Sequence, residues 1–372
     1  MLFSTTSISN STLSGNSANI SGGGGIANSY GGTVSVSNSM LSANFTNGDG
    51  GGILNSGTVS VTSSTLSSNS ANVFGGSIYN DLFSTVSVSN STLSSNSASF
   101  GGGIYNGGTL NVSNSTLSGN SASFGGGIYN DGMVDLASTI VADNTASTNP
   151  DLANGVAATT NASNSLIEMD GDQINGTNSN NIFDQDPMLS SLQDNGGPTF
   201  TQALLPGSPA IDRGSNLDSL SFDQRGIGFA RIVGLQADIG AFEIQTPPTN
   251  LVVDTLADES NGNLAVGDIS LREALAAIAP GVTITFAEGL AGGTITLNGS
   301  ELVINQALTI NGDVDGDGTA DITISGNNTS RVFNINDGDA LNTASVNLSA
   351  LTITGGSING SGGGIFNNEN LT

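Results

Sequence analysis

Along residues 1–150 the apolar positions fall into short alternating runs that return at nearly constant intervals. Gly-rich turns lead into an Ile followed two residues later by Asn, at Ile26-Ala27-Asn28, Ile53-Leu54-Asn55, Ile78-Tyr79-Asn80, Ile104-Tyr105-Asn106 and Ile128-Tyr129-Asn130. The Ile-to-Ile steps are 27, 25, 26 and 24 residues. A second phrase keeps the same step: Val34-Ser35-Val36-Ser37, Val59-Ser60-Val61, Val86-Ser87-Val88-Ser89, Leu110-Asn111-Val112-Ser113 and Val134-Asp135-Leu136. Each repeat closes on an Asn, at Asn44, Asn69, Asn96, Asn120 and Asn144.

Strict apolar/polar alternation over four or five residues is a strand signal, with Val or Leu turned inward and Ser outward. Such short strands cannot bury their apolar faces alone. Winding each repeat into one coil and stacking coils about 4.8 Å apart pairs every strand with its equivalents above and below. A period of about 25 residues fits three strands and three turns, which predicts an all-β, right-handed parallel β-helix. Helical repeats would need i, i+3, i+4 spacing and leucine-rich repeats their own Leu frame, and neither is present. Stacking then places the five Ile-x-Asn asparagines in one ladder and the five closing asparagines in another, with side-chain amides bonded along the stack. Gly before each Ile permits positive φ and close approach of coils. Phe74, Phe100 and Phe124 recur near these turns, where core or turn packing is expected.

The pattern changes after Asn144. The period loosens through residues 151–185, and charges and prolines appear. Residues 186–243 contain Asp186-Pro187-Met188-Leu189, Asn195-Gly196-Gly197-Pro198-Thr199, Gly207-Ser208-Pro209-Ala210-Ile211-Asp212, Asp223-Gln224-Arg225-Gly226 and Asp238-Ile239-Gly240-Ala241-Phe242-Glu243. After Gln245-Thr246-Pro247-Pro248-Thr249-Asn250 a new unit opens with Val252-Val253-Asp254-Thr255 and Ser270-Leu271-Arg272-Glu273-Ala274-Leu275. Leu271, Leu275 and Ile278 are at helical spacing and stop before Pro280-Gly281, which predicts one short capping α-helix. Strand-like pieces follow at 283–286, 294–297, 302–304, 308–310, 322–324, 332–335 and 351–353, and the phrase Gly362-Gly363-Gly364-Ile365-Phe366-Asn367 restarts the repeat. The organisation expected is coils over 1–150, final coils and a cap over 151–245, a Pro-rich linker at 246–250, and the start of a second β-helix over 251–372. The chain reads as part of a longer tandem protein.

Three resemblances attach to these phrases. The paired Gly-Gly-x-Ile and Leu-x-x-Asn phrases of residues 1–145 are similar to the repeats of polymorphic outer-membrane proteins and related β-helical adhesins, with Leu66, Leu93 and Leu117 where those repeats carry Phe. Residues 186–243 resemble the choice-of-anchor Q domain, which implies a segment closing a surface β-helix. The opening of the second unit resembles the CSLREA domain that begins many secreted β-helices, with Ser270 in place of its Cys.

Composition narrows the chemistry. The 372 residues include no Lys, His or Cys and only five Arg, and the net charge is −26. Thiol nucleophiles, imidazole bases, Schiff-base lysines and Cys/His zinc sites are therefore excluded, leaving carboxylate or metal chemistry. Nucleic acid is not an expected partner, since phosphate binding needs clustered basic residues. No apolar run is long enough to span a membrane and the first residues lack a signal-peptide pattern, so membrane insertion is not expected. An acidic chain without cysteine suits an extracellular or bacterial cell-surface protein.

Three groups of residues are candidates for function. Asp313-Val314-Asp315-Gly316-Asp317-Gly318-Thr319-Ala320-Asp321 matches half of a calcium loop, with carboxylates from Asp313, Asp315, Asp317 and Asp321 and a carbonyl from Thr319. Ile324 stands where the bidentate Glu would be, so an acidic turn between strands is the alternative. Tyr79, Tyr105 and Tyr129 should project outward one above another, either to stack on sugar rings or to pack together. Asp212, Arg213, Asp223, Arg225, Arg231, Asp238 and Glu243 read either as a carboxylate active site or as a salt-bridged closing structure. The expected function is a non-catalytic secreted or cell-surface protein, adhesin-like or a structural rod, binding extracellular glycans or a host or neighbouring cell surface, with calcium as its cofactor. A polysaccharide lyase or glycoside hydrolase on the same scaffold is the alternative.

Overall fold

In a computed structural model, described over residues 4–20, 22–29, 31–245, 251–260, 267–336 and 345–368, the chain forms two compact units, 1–245 and 246–372. Both are parallel β-helices, together about 13 turns. The Pro-rich stretch 246–250 lies outside the described residues.

Each repeat of the first unit contributes a five-residue strand such as Thr85–Ser89, a three-residue strand such as Thr92–Ser94, and an Ile-x-Asn strand such as Ile104–Asn106. Equivalent strands pair in parallel, giving sheets of eight, eight and six strands. A fourth, three-stranded sheet joins Ser17–Ala18, Phe45–Thr46 and Ser70–Ala71. Register follows the repeat, with Ile78 beside Ile104, Tyr79 beside Tyr105 and Asn80 beside Asn106. The core is one continuous column of Ile53, Ile78, Ile104 and Ile128 with Val59, Val86, Leu66, Leu93 and Leu117, all fully buried. Each such side chain contributes about 1.5–3 kcal/mol by leaving water.

Corners are set by residues in the left-handed region. Asn38, Ser63, Asn90 and Asn114 have φ of 45° to 53° between the five- and three-residue strands. Asn90 and Asn114, which begin Asn-Ser-Thr sequons, therefore serve the turn. The Gly-rich turn is tighter still: a Cβ on Gly102 would lie 2.4 Å from the carbonyl oxygen of Ser121 in the next coil, and Gly101 has φ +64°.

The asparagines form the expected ladders. Nδ2 of Asn28, Asn55, Asn80, Asn106 and Asn130 donates to Oδ1 of the next member at 2.8–3.1 Å, ending on Asn154. The second ladder runs from Asn16 through Asn44, Asn69, Asn96 and Asn120 to Asn144 at 2.8–3.0 Å. It ends on Asp151, whose Oδ1 accepts from Asn144 at 2.9 Å and whose carboxyl is pushed up to about 7 by burial. A third ladder, built on serine, was not expected from the sequence. The backbone N–H groups of Ser11, Ser39, Ser64 and Ser91 donate to the hydroxyl of the equivalent Ser one coil on, at 3.0–3.1 Å.

The closing segment is placed differently from a simple end cap. It docks along the side of the stack, with Thr199 on the Ser63 carbonyl, Gln224 on Thr65 and Thr92, Ala241 on Thr116, and Ser215 on Ser138. The cause lies in the three-residue strands. Their first position faces outward and carries Thr65, Thr92 and Thr116, then Ile140, Leu166 and Ile182, whose apolar faces need cover. Leu204, Ala210 and Ile239 supply it in a second small core.

In the second unit, strands recur in three sheets built from Val252–Val253, Thr283–Phe286, Leu308–Asn311 and Val346–Ser349, from Thr294–Thr296, Ile322–Ser325 and Leu351–Thr354, and from Leu302–Ile304, Phe333–Ile335 and Ile365–Asn367. The strand at Val346–Ser349 was not among those expected. Helix α1 spans Leu271–Ala277 and is started by a capping box: the Ser270 hydroxyl accepts from the Glu273 N–H and the Glu273 carboxylate from the Ser270 N–H. It buries Leu271, Ala274, Leu275 and Ala277 at the first coil of this stack, and Arg272 holds Asp258 with two bonds of 2.7 and 2.9 Å. No helix among the described residues is long and apolar enough to cross a membrane.

Candidate functional site

The three tyrosines stand on the outward position of the Ile-x-Asn sheet. Tyr79 and Tyr105 stack with centroids 5.3 Å apart and planes 19° apart, and Tyr105 and Tyr129 with 5.6 Å and 7°. Phe74, Phe100 and Phe124 do not enter the core. They form a second outward column, with centroids 5.4 and 5.2 Å apart, that interlocks with the first through Phe74 and Tyr105 at 4.5 Å and an edge contact of Phe100 with Tyr129. The reason is register: identical residues on parallel coils meet their own kind above and below, so six rings join in one outward array.

Acids border this array. The Tyr105 hydroxyl donates to Asp131 at 2.6 Å, and Asp81 accepts from the Ser56 hydroxyl at 3.1 Å. Partial burial, with Asp81 and Asp49 adding repulsion, pushes the Tyr79 phenol up to about 12. Burial first, then the bond to Asp131, raises that of Tyr105 as well, so all three phenols stay protonated donors at neutral pH.

In the second unit the loop between Leu308–Asn311 and Ile322–Ser325 brings oxygens of Asp313, Asp315 and Asp317 within 4.8 Å of one another. Asp321 stands apart from this triad and closes the loop, its Oδ2 accepting from the N–H of Val314 at 2.7 Å and of Asp315 at 3.3 Å. Thr319 donates its N–H and its hydroxyl to Asp317 at 2.8 and 2.6 Å, which holds that carboxyl below the usual range. Asp313 already accepts from Gly316 and Gly318. Ile324 is fully buried in its strand and offers no ligand. The donor set is thus three exposed or half-exposed carboxylates, a composition suited to a hard cation such as calcium.

The acids of the closing segment are spent on its own backbone. Asp212 accepts from the N–H of Leu235, Asp238 from Asp212 and Ile244, and Glu243 from Val233 and Asp238, at 2.7–3.0 Å. Asp223 binds Arg225, whose guanidinium lies between the rings of Phe229 and Phe242 at 4.0 and 3.8 Å. Arg231 is buried and donates to the Asp238 carbonyl at 2.6 Å and to Asn114 at 3.2 Å. Burial pushes Asp212, Asp238 and Glu243 upward, against the lowering effect of those backbone bonds. The four carboxylates are no more than 1% exposed, so a substrate cannot reach them in this arrangement.

Compared with known proteins, the chain matches no protein-family model, no curated protein and no solved structure.

Proposed function

We propose that this chain is a non-catalytic β-helix rod of adhesin-like or structural type, displayed outside the cell, that uses the aromatic flank of its first unit to bind extracellular glycans on a host or neighbouring surface. The observation that carries this reading is the six-ring outward array at residues 74–129, bordered by Asp81 and Asp131, on coils rich in Ser, Thr and Asn. Rings beside hydroxyl-accepting groups suit sugars, which offer an apolar ring face and a polar rim. The resemblance of residues 1–145 to adhesin repeats, of 186–243 to a choice-of-anchor Q domain and of the second unit's opening to a CSLREA domain supports the extracellular location.

The lyase or hydrolase reading requires an accessible acid and base. Asp212, Asp223, Asp238 and Glu243 are the strongest candidates, and their burial favours the binding role instead. A screen of neutral and acidic polysaccharides with the full chain tests both readings. We expect no cleavage products, and binding that is lost when Tyr79, Tyr105 and Tyr129 are all converted to Ser. Release of unsaturated or reducing ends would overturn the non-catalytic reading.

Calcium enters the proposal as a stabiliser of the second unit, held by Asp313, Asp315 and Asp317. Calorimetry on the full chain with millimolar calcium should give binding heat that disappears in the Asp315→Ala, Asp317→Ala double variant. Equal heats in both proteins, or none in either, would leave the loop as an acidic turn.

A further inference from the structure

The rings of the tyrosine column face one another, so a sugar cannot lie flat on Tyr105 without prising it from Tyr79 or Tyr129. The turn that follows Tyr79-Asn80 carries an aromatic ring that is almost wholly open to solvent. Phe83 is 92% exposed, and its neighbour Leu82 is 61% exposed. They form the tip of the turn Asp81–Ser84, in which the Ser84 N–H donates to the Asp81 carbonyl at 3.1 Å and the Leu82 N–H to the Asp81 carboxylate at 2.8 Å.

The backbone at this tip is strained. Phe83 has φ +64°, a conformation that a bulky residue rarely adopts and that the third position of such a turn ordinarily reserves for Gly or Asn. The same turn occurs two coils below, where the Gly32 N–H donates to the Ser29 carbonyl, and the matching position there is Gly31 at φ +76°. Ser56-Gly57, Gly107-Gly108 and Asp131-Gly132 make this connection with two residues, and Gly155-Val156-Ala157-Ala158 makes it with four, Val156 also exposed but with neither central residue in the left-handed region. Phe83 thus combines backbone strain with exposure of a large apolar side chain, and at 92% exposure it gains almost no packing in return.

We infer that Phe83 is the stacking platform for one pyranose ring of a neutral glycan, with Asp81 beside it as acceptor for the sugar's hydroxyls. This rests on the glycan-binding reading above and refines it. Asp81 is anchored by the Ser56 hydroxyl at 3.1 Å and the Leu82 N–H, so its carboxylate is held at the base of the turn that carries Phe83. Apart from Leu82, the turn is flanked by Ser84 and Thr85 in the chain and by Gly107 and Gly108 of the next coil, whose positions lie against its backbone, so no contiguous apolar centre like that of a protein interface surrounds it. Uronates and other acidic sugars are disfavoured, because Asp49, Asp81 and Asp131 line this flank and residues 1–150 contain no basic residue.

The test uses the full chain with linear hexaoses of glucose, mannose and galactose, and an oligogalacturonate as acidic comparator. Phe83→Gly should lower affinity for the preferred neutral hexaose at least tenfold while leaving the melting temperature equal or higher, since Gly relieves the turn. Phe83→Trp should restore binding. Affinity within twofold of the parent in Phe83→Gly would overturn the assignment while the wider glycan reading stood. Concentration-dependent self-association abolished by Phe83→Gly would also overturn it, by assigning the ring to a second copy. No binding of any neutral hexaose by the parent would bring down the glycan reading and this inference together.

Discussion

Replacing Ile104 by Asp should unfold the coils around it. Ile104 is fully buried between Ile78 and Ile128 in consecutive coils, and no Lys, Arg or His exists in residues 1–150 to pair with a carboxylate. An unpaired buried charge costs several kcal/mol or more, comparable with the roughly 5–15 kcal/mol that holds a domain folded. A local defect is also transmitted, because each coil templates the strand edges of the next. We expect loss of the cooperative denaturant transition and of the β signal in circular dichroism. Ile104→Val, which removes one methylene, should cost only about 0.5–1.5 kcal/mol. An Ile104→Asp protein as stable as the parent would mean that the Ile column is not the core.

Removing one rung of the second asparagine ladder, the one that runs from Asn16 to Asn144, should be nearly as damaging. The Asn96 side chain makes four bonds: Oδ1 accepts from the Asn69 N–H and Nδ2 at 2.9 and 3.0 Å, and Nδ2 donates to the Leu66 carbonyl and Asn120 Oδ1 at 3.0 and 2.9 Å. Asn96→Ala leaves the buried Asn69 N–H without that acceptor, and each unsatisfied buried group costs about 1–3 kcal/mol. A loss of roughly 3 kcal/mol or more is expected by urea denaturation, consistent with several such groups. Asn72 also bonds along the stack, to Asn47 at 3.2 Å, but in an exposed position. Asn72→Ala should change stability by less than about 0.5 kcal/mol, as surface substitutions do. Equal effects at 72 and 96 would show that ladder bonding, apart from burial, decides little.

The first unit was legible because its period is written twice, in apolar alternation and in asparagine position. Identical residues stacked on parallel coils must meet, so the Ile column, both ladders and the tyrosine stack follow from spacing alone. The serine ladder was missed because Ser is common everywhere in the chain. Its signal was the fixed place of Ser39, Ser64, Ser91 and Ser115 immediately after a left-handed corner residue. The lateral docking of the closing segment was also available in principle. Ile140-Val141, Leu166-Ile167 and Ile182-Phe183 are apolar on both sides of the strand, where earlier coils read Thr-Leu, and two apolar faces require two cores.

The candidate sites were harder to read. Asp321 falls at ligand spacing, yet the loop closes by turning its carboxylate onto the backbone of Val314 and Asp315, a competition between ligand and turn that spacing does not display. The carboxylates of the closing segment read from sequence as a closing structure in preference to an active site, but as a salt-bridged one, whereas Asp212, Asp238 and Glu243 bind backbone N–H groups, which spacing does not display. Phe74, Phe100 and Phe124 were expected in the core or turn, and register with the tyrosines drew them outward. Phe83 gave no repeating signal, since the connection it sits in changes in length and sequence from coil to coil, with four residues at 29–32, 81–84 and 155–158 and two elsewhere.

The most direct test of the account is a distance along the stack. The chain contains no Cys, so spin labels on Cys introduced at Ser7 and Asn111 would be unique, and both positions face solvent on the eight-stranded sheet of five-residue strands. These strands are separated by four steps in the strand order, which places them about 19 Å apart at about 4.8 Å per step. Pulsed electron resonance should give a narrow distribution near that value, allowing for label length, and moving the first label to Ser35 should shorten it by about one strand spacing. A broad distribution, or a distance that does not fall by one spacing, would contradict the stacked-coil scaffold on which the binding surface depends.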